Sequence, residues 1–561
     1  MTHELVQRAL TAPTTRTVRR RLLRQLLESL LYEGAVRTSD DITIAGAGGV
    51  TYTFSARRRF TFDRVTVDEI LRDGREPESV TRFLGEISDR LDADPECLAR
   101  FARELEHTLF NDALAQYCRR GVLAGSGFDA LEGGVTDGHR YHPAYKSRIG
   151  FDVADNLAYG PEFAHPIRPL WLAARRDITE VTTSATVEEH TFLRGQLGEA
   201  VTTPWPEYTL VPVHPWQWRE HVASAFSGQL RSGELVVLGE DPHEFLPQQS
   251  IRTLSCVDQP NRPYLKLAMS LLNTSTSRVL APHTVHNAPL VSDWLRSVVA
   301  SDPFLDGELR TVLLAEVMGT AVNPEPAAEF LREDGYGTLA CIWRESLHPF
   351  LDPGERAAPF TALTARERDG TPFLDPWVRE HGVRAWVRRL AEVAVVPLVH
   401  LLCRHGIALE SHAQNMVLLH RDGLPTRVAL RDFHDGIRFS REHLAEPSLC
   451  PELRGTPSYH RNRNSFIETG DPELVADFML DAFLFVNIGE LAIFLADAHG
   501  LSERDFWAIV GEVVREHHER FGDPLFDVFK PEVAVERLTT RRLLPDTELR
   551  LHRVPNPLAR S

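Results

Sequence analysis

The sequence has no CxxC pair; its six cysteines, Cys97, Cys118, Cys256, Cys341, Cys403 and Cys450, are scattered. That spacing excludes a zinc ribbon and a disulfide framework, and predicts reduced thiols in a cytosolic protein. Neither GxGxxG nor GxxxxGK[ST] occurs, so no glycine loop of either kind is available to hold phosphates. Basic charge is in deficit, with 62 Lys and Arg against 79 Asp and Glu, a net charge of -17. A nucleic-acid partner needs a basic face and is disfavoured, although a local cationic pocket for small anions remains open. A membrane span needs roughly 20 apolar residues. The most apolar stretches, 393–402 and 478–495, are short or interrupted by Asn487 and Glu490, so neither is expected to be one. The first nineteen residues lack an apolar h-region, which predicts no secretory signal and a cytoplasmic location. There is no internal repeat and no low-complexity segment.

The 561 residues are too many for one core, and an apolar share of 43% gives ample material for several. Leu22, Leu23, Leu26, Leu27, Leu30 and Leu31 recur at helical spacing before Gly34, with Arg16 to Arg24 as the solvated face. Ile42 and Ile44, Tyr52 and Phe54, then Phe60 and Phe62 alternate as in strands. Helical patterning returns over 80–117, and 121–138 is Gly-rich and polar like a boundary. The middle third mixes strands at 209–213, 252–257 and 264–268 with helices, one starting at Thr186 with Glu189 completing a capping box. A helix is expected within the Pro-rich, acidic stretch 302–329. The last third is mostly helical (378–404, 472–499, 503–521). It also holds a hairpin of 416–420 and 426–430 around an Asp422-Gly423 turn. The element order predicts an α+β protein and not an alternating βαβ sheet.

Four clusters carry candidate chemistry. Residues 138–148 put His139, His142, Lys146 and two arginines in one stretch, read as a flexible cationic segment that closes over phosphates. A metal pair of His139 and His142 is a weaker reading, since no third ligand lies at a usual spacing. Ser250, Arg252 and Thr253, with Lys266 on a following strand, make a phosphate cradle without a glycine loop. Ser250 and Arg252 would share a face if the strand begins at 250. Thr274 and Arg278 would share a face if helical. Glu410, His412, Gln414 and Asn415 precede the hairpin and Asp432 follows it. Glu410, Asn415 and Asp432 would then meet as hard oxygen ligands for magnesium held with phosphates. Protein kinases hold metals at a similar hairpin, a parallel at fold level only. His214 in VPVHPWQW is read as lying behind the site.

Taken together, GHRYHPAYKSRIGF, VPVHPWQW, SIRT, KLAMSLLNTSTSR, ESHAQN and RDFHDG resemble the IucA/IucC family of NRPS-independent siderophore synthetases over about residues 130–440. The resemblance implies a cupped hand: a thumb (1–130), fingers (131–330) and a kinase-like palm (331–561). It implies ATP, Mg2+, and citrate or a related polycarboxylate, adenylated and then joined to an amine or alcohol. It implies phosphate and nucleotide contacts from Ser250, Arg252, Thr253, Lys266, Arg278, Lys146 and Gln414, and metal ligands Glu410, Asn415 and Asp432. Acid binding would fall to Arg278, His412 and Thr274, and catalysis to His412, Arg278, Lys266 and His142. Arg140 stands where family members often carry proline, which weakens any transfer of a role to His139. A homodimer is compatible with the family. A phosphotransferase and a non-catalytic binder of nucleotide or iron-citrate are the competing readings.

Overall fold

The computed structural model describes residues 2–40, 42–119, 121–197, 206–274, 276–324, 332–460 and 465–561. The leucine pattern forms the helix Pro13–Tyr32, with proline at its first position. It closes where Gly34 takes a φ of 68° and the Ala35 amide donates back to the Leu30 carbonyl. Its leucines bury against the strands Thr51–Arg58 and Val65–Arg72 and the helix Pro95–Cys118. The strand expected at Phe60 and Phe62 is a turn. Phe62 sits at a φ of 53° with its ring fully buried against Phe485 and Trp507 of the last third. Its period-2 spacing reflects a long-range anchor, not a pleat. The arginine face is also not uniformly solvated. Arg16, Arg19 and Arg20 gather on Glu76, while Arg21 turns inward over the Tyr145 ring and donates to the Asp137 carbonyl.

The middle third is built on a six-stranded antiparallel sheet in the order Thr179–Thr183, Glu316–Val322, Ala340–Arg344, Tyr264–Leu267, Thr253–Cys256, Phe245–Pro247. The stretch 302–329 holds one short helical turn, Phe304–Glu308, and then the strands Val312–Leu313 and Glu316–Val322, and 325–329 lie outside the described residues. All seven residues of Glu316–Val322 are buried, and a strand covered on both faces shows no alternation to read. The expected helix start at Thr186 falls at Glu189 instead. Glu188 caps it from outside, and Glu189 pairs with Arg176. The long helix Pro282–Ser301, not anticipated, lies on this sheet.

Gly319 is the point of closest approach: a Cβ there would stand 2.3 Å from the Val285 carbonyl oxygen. Gly319→Ala is expected to destabilise by about 1–3 kcal/mol, the range of core overpacking, read as a lower urea midpoint. An unchanged midpoint would contradict so tight a contact.

In the last third the expected helix over 378–404 is split at Gly382, whose φ is 75°, into Asp375–His381 and a run from Val383 to His405. The hairpin forms as expected, Met416–Arg421 with Leu424–Leu430. Its two-residue turn has positive φ at both Asp422 and Gly423, the twist that matches paired strands. The Pro472–His499 helical run is long and apolar enough to cross a bilayer, contrary to the sequence expectation, but 72% of its apolar window is buried inside the protein. Its polar interruptions are spoken for. Asn487 donates to the Ser411 carbonyl, and Glu490 accepts from Arg64. None of the six cysteines forms a disulfide among the described residues.

Candidate active site

A cavity of about 1450 Å3 receives side chains from all three parts of the chain. His142 and Lys146 line it from the first histidine cluster, Ser250, Arg252, Lys266, Thr274 and Arg278 from the middle sheet and its hairpin. Glu410, His412, Gln414, Asn415 and Asp432 line it from the last third. Thr253 does not reach the cavity. It is buried behind Ser250, whose hydroxyl donates to its Oγ1 at 2.8 Å.

The cradle differs in detail from its expected form. The strand begins at Thr253, so Ser250 and Arg252 occupy a turn and not a pleated face. Ile251 holds a φ of 70°, a strained value for a β-branched residue, and its side chain is buried beside Trp216 and Met269. Arg252 points at the next segment and donates through Nη1 to the carbonyls of Arg278 and Val279, both at 2.9 Å. Arg278 stands on a strand and not a helix: Met269–Asn273 pairs with Thr276–Arg278, and Ser275 lies outside the described residues. Arg278 donates to the Asn273 carbonyl at 3.3 Å, while its buried Nε has no protein partner among the described residues. Burial, with Arg252 beside it, pushes the Arg278 guanidinium down to about 10, so it stays charged at neutral pH.

Lys266 lies opposite Thr253 in the sheet and reaches Asp432 at 3.1 Å. Arg344 meets the same carboxylate at 2.5 Å. Burial alone would push the Asp432 carboxyl up, but Lys266 and Arg344 hold it well below the usual carboxylate range. Asp432 itself takes a φ of 67°, a strained position fixed by these partners. Sequence reasoning missed Arg344 and Glu316, which face each other across the sheet. Glu316 accepts from the His434 amide and meets its Nδ1 at 2.7 Å. His434 and Asp435 stood inside the quoted RDFHDG motif, and both line the cavity.

Glu410, Asn415 and Asp432 do come together. Asn415 donates to the Glu410 carbonyl, and the Arg431 amide donates to the Asn415 carbonyl. Burial, reinforced by Asp435, pushes the Glu410 carboxyl up to about 8. Carboxylates crowded into a cavity in this way gain from a hard divalent cation, so the oxygen set fits magnesium. His412 is pushed down by burial to about 4 and is a neutral donor or acceptor at pH 7.

The 138–148 segment is not a flexible cationic loop. His142, Lys146 and Arg148 are buried. Lys146 donates to the Thr136 carbonyl and ion-pairs with Asp112 at 3.1 Å and Glu162 at 3.5 Å, so acids from elsewhere offset its charge. His139 Nδ1 accepts the Tyr141 and His142 amides, and His142 Nδ1 accepts the Ala144 amide. In the neutral rings the protons therefore sit on Nε2. His142 Nε2 is a buried donor with no protein partner among the described residues. His214 caps a helix start and does not line the cavity.

Three histidines, His420 buried and His139 and His412 half-buried, give a pH signature. His139, His412 and His420 are each pushed by burial to about 4 from a usual 6.5. Their folded values are depressed, so the unfolded chain binds more protons in this window. The stability they contribute is present above about pH 6.5 and is lost as pH falls towards 4. The heat-unfolding midpoint is expected to drop between pH 7 and 5; a flat profile would refute their burial as neutral rings.

Comparison with known proteins extends these observations. Residues 127–365 match the IucA / IucC family model, and residues 384–551 match a ferric iron reductase FhuF-like transporter model. The chain is 38% identical to a citryl-spermidine/3,4-dihydroxybenzoyl-citryl-spermidine:spermidine ligase of Bacillus anthracis, over 100% of this chain and 96% of that protein. It is 39% identical to a 2-[(L-alanin-3-ylcarbamoyl)methyl]-3-(2-aminoethylcarbamoyl)-2-hydroxypropanoate synthase of Staphylococcus aureus, over 96% of this chain and 92% of that protein. The crystal structure of petrobactin biosynthesis protein AsbB from Bacillus anthracis superposes with a TM-score of 0.93 at 39% identity, covering 100% of this chain and 98% of that one. With relatives this similar matched along its full length, the chain belongs to the IucA/IucC family of NRPS-independent siderophore synthetases.

Proposed function

We propose that the protein is an ATP-dependent ligase that adenylates a carboxylate of citrate, or of a related polycarboxylic acid, and joins it to an amine or alcohol. One observation carries this reading: Arg252, Lys266 and Arg278 of the middle part face the same cavity as Glu410, Asn415 and Asp432 of the last part. A carboxylate oxygen attacks the α-phosphorus, the bond to pyrophosphate breaks, and an acyl-adenylate forms. The nucleophile then adds to the acyl carbon and AMP leaves. Both steps build negative charge that preorganised donors stabilise. Arg252, Lys266, Lys146, Ser250 and Gln414 are assigned to the nucleotide, with Thr253 holding Ser250 in place. Arg278, His412 and Thr274 are assigned to the acid, and His142 Nε2 offers a further donor.

Glu410, Asn415 and Asp432 would hold Mg2+, which supplies charge neutralisation at the phosphates. The division into thumb, fingers and kinase-like palm at 130 and 330 belongs to the same proposal, as does a cytoplasmic location. The relatives' named products, built on spermidine or on diamine-like units, favour an amine over an alcohol. The test is nucleotide product analysis with a panel of acids and amines. AMP and pyrophosphate formed only when a polycarboxylate is present support the reading. ADP with a phosphorylated acceptor, or binding without turnover, would replace it with a phosphotransferase or a binding protein.

A further inference from the structure

A second group of ligand-type side chains lies away from the cavity. Asp302 follows the helix Pro282–Ser301, and His400 and His405 lie near the end of the helical run that leads into the strand Ile407–Leu409. Positions five apart on a regular α-helix point about 140° apart. Here the last turn, Leu401–His405, is π-wound, and the two imidazoles come to one side with ring centroids 5.6 Å apart. Both Nε2 atoms stand 2.8 Å from the same oxygen, Asp302 Oδ2. The other carboxylate oxygen accepts the Phe304 and Leu305 amides, so the group cannot swing away. Behind His400, its Nδ1 meets His517 Nε2 at 2.8 Å, which fixes the ring plane. Beside His405 is a crevice of about 10 Å3, bordered by Ser301 and Glu446 and large enough for about one water. The group is set among Phe304 and Phe521, where apolar side chains would pack at lower desolvation cost.

We propose that Asp302, His400 and His405 bind a divalent transition-metal ion, with a water completing its coordination. Two imidazoles and one carboxylate suit zinc, cobalt or ferrous iron and not magnesium. Without the ion, the same distances serve two N–H···O bonds. On binding, each ring shifts its proton from Nε2 to Nδ1; at His400 that proton then donates to His517 Nε2, whose own proton moves to Nδ1. A tetrahedral ion separates its ligand atoms by roughly 3.3 Å, so each Nε2 retreats about 0.5 Å. His405 ends its helix beside Gly406, at a φ of 76°, where such a shift is easily taken up. His517 is a positioning residue in the sense of a metal site's outer hydrogen bonds. Glu410 follows His405 by five residues, so the ion would stiffen the lead into the cavity.

The test uses tag-free full-length protein, stripped with chelator and titrated with Co2+ in excess Mg2+. One equivalent should give the visible absorption of four-coordinate cobalt, displaced by Zn2+. His405→Gln should abolish that band while pyrophosphate release in Mg2+ alone persists, and His517→Phe should weaken Co2+ binding about 10–100-fold. Absence of the band, or a band that survives His405→Gln, would overturn the site. Should His405→Gln fold poorly, His517→Phe decides: unchanged affinity for Co2+ refutes the proposal.

Discussion

Arg278→Ala is expected to lower polycarboxylate-dependent pyrophosphate release by about 10²–10³-fold, the usual effect of removing one preorganised donor to developing charge. The guanidinium is half-buried in the cavity wall, remains charged, and has no partner for its Nε among the described residues, so it is poised for a ligand and not consumed by structure. Arg278→Lys should recover only part of the activity, because a point charge cannot reproduce the forked donor. Arg252 holds the carbonyls of Arg278 and Val279. The two arginines should therefore be coupled, the double variant losing less than the product of the two single losses. Full additivity of the two effects would show that the clamp does not position Arg278. Wild-type rates in Arg278→Ala would remove it from the site altogether.

Glu132→Ala is expected to destabilise the fold by about 3–5 kcal/mol, the range for leaving one member of a buried ion pair alone. Glu132, on the short helix Phe128–Gly134, meets Arg431 at 2.6 Å, and both are buried. Arg431 also donates to the Gln414 carbonyl at 2.8 Å, so the pair fastens the 128–134 helix to both arms of the hairpin that carry the candidate ligands. The double variant Glu132→Met, Arg431→Met should regain most of the lost stability, since two apolar side chains leave no charge uncompensated. Denaturant unfolding measures both. A loss under about 1 kcal/mol in Glu132→Ala would mean that water or another group already satisfies Arg431.

What could be read from the sequence follows the range of the forces involved. The hairpin was legible because an Asp-Gly turn fixes register locally, and register alone brings Asn415 and Asp432 to its open end. Lys266 was legible as a charge in an apolar run. Glu316 and Arg344 were not, because their strands are buried on both faces and pair across the sheet without a periodic signature. The surroundings of Lys146 were hidden for a related reason. Its acids, Asp112 and Glu162, come from a preceding helix and a following turn, and nothing near Lys146 in sequence announces them. The relocation of Phe62 from strand to anchor depended on partners more than 400 residues away.

The apolar run Pro472–His499 has an implication for how the chain is made. Left alone, so greasy a segment invites misrouting to a membrane or self-association as it leaves the ribosome. Two of its polar side chains, Asn487 and Glu490, find their mates in Ser411 and Arg64, which precede it in the chain, while Asp477 and Asp481 take theirs from Lys530 and the Glu536 amide, which follow it. In a protein built from its first residue onward, the receptors for Asn487 and Glu490 are already outside when the hazardous stretch emerges. The order of synthesis thus shelters the second half of this helix at birth and leaves its first half waiting for the chain that follows.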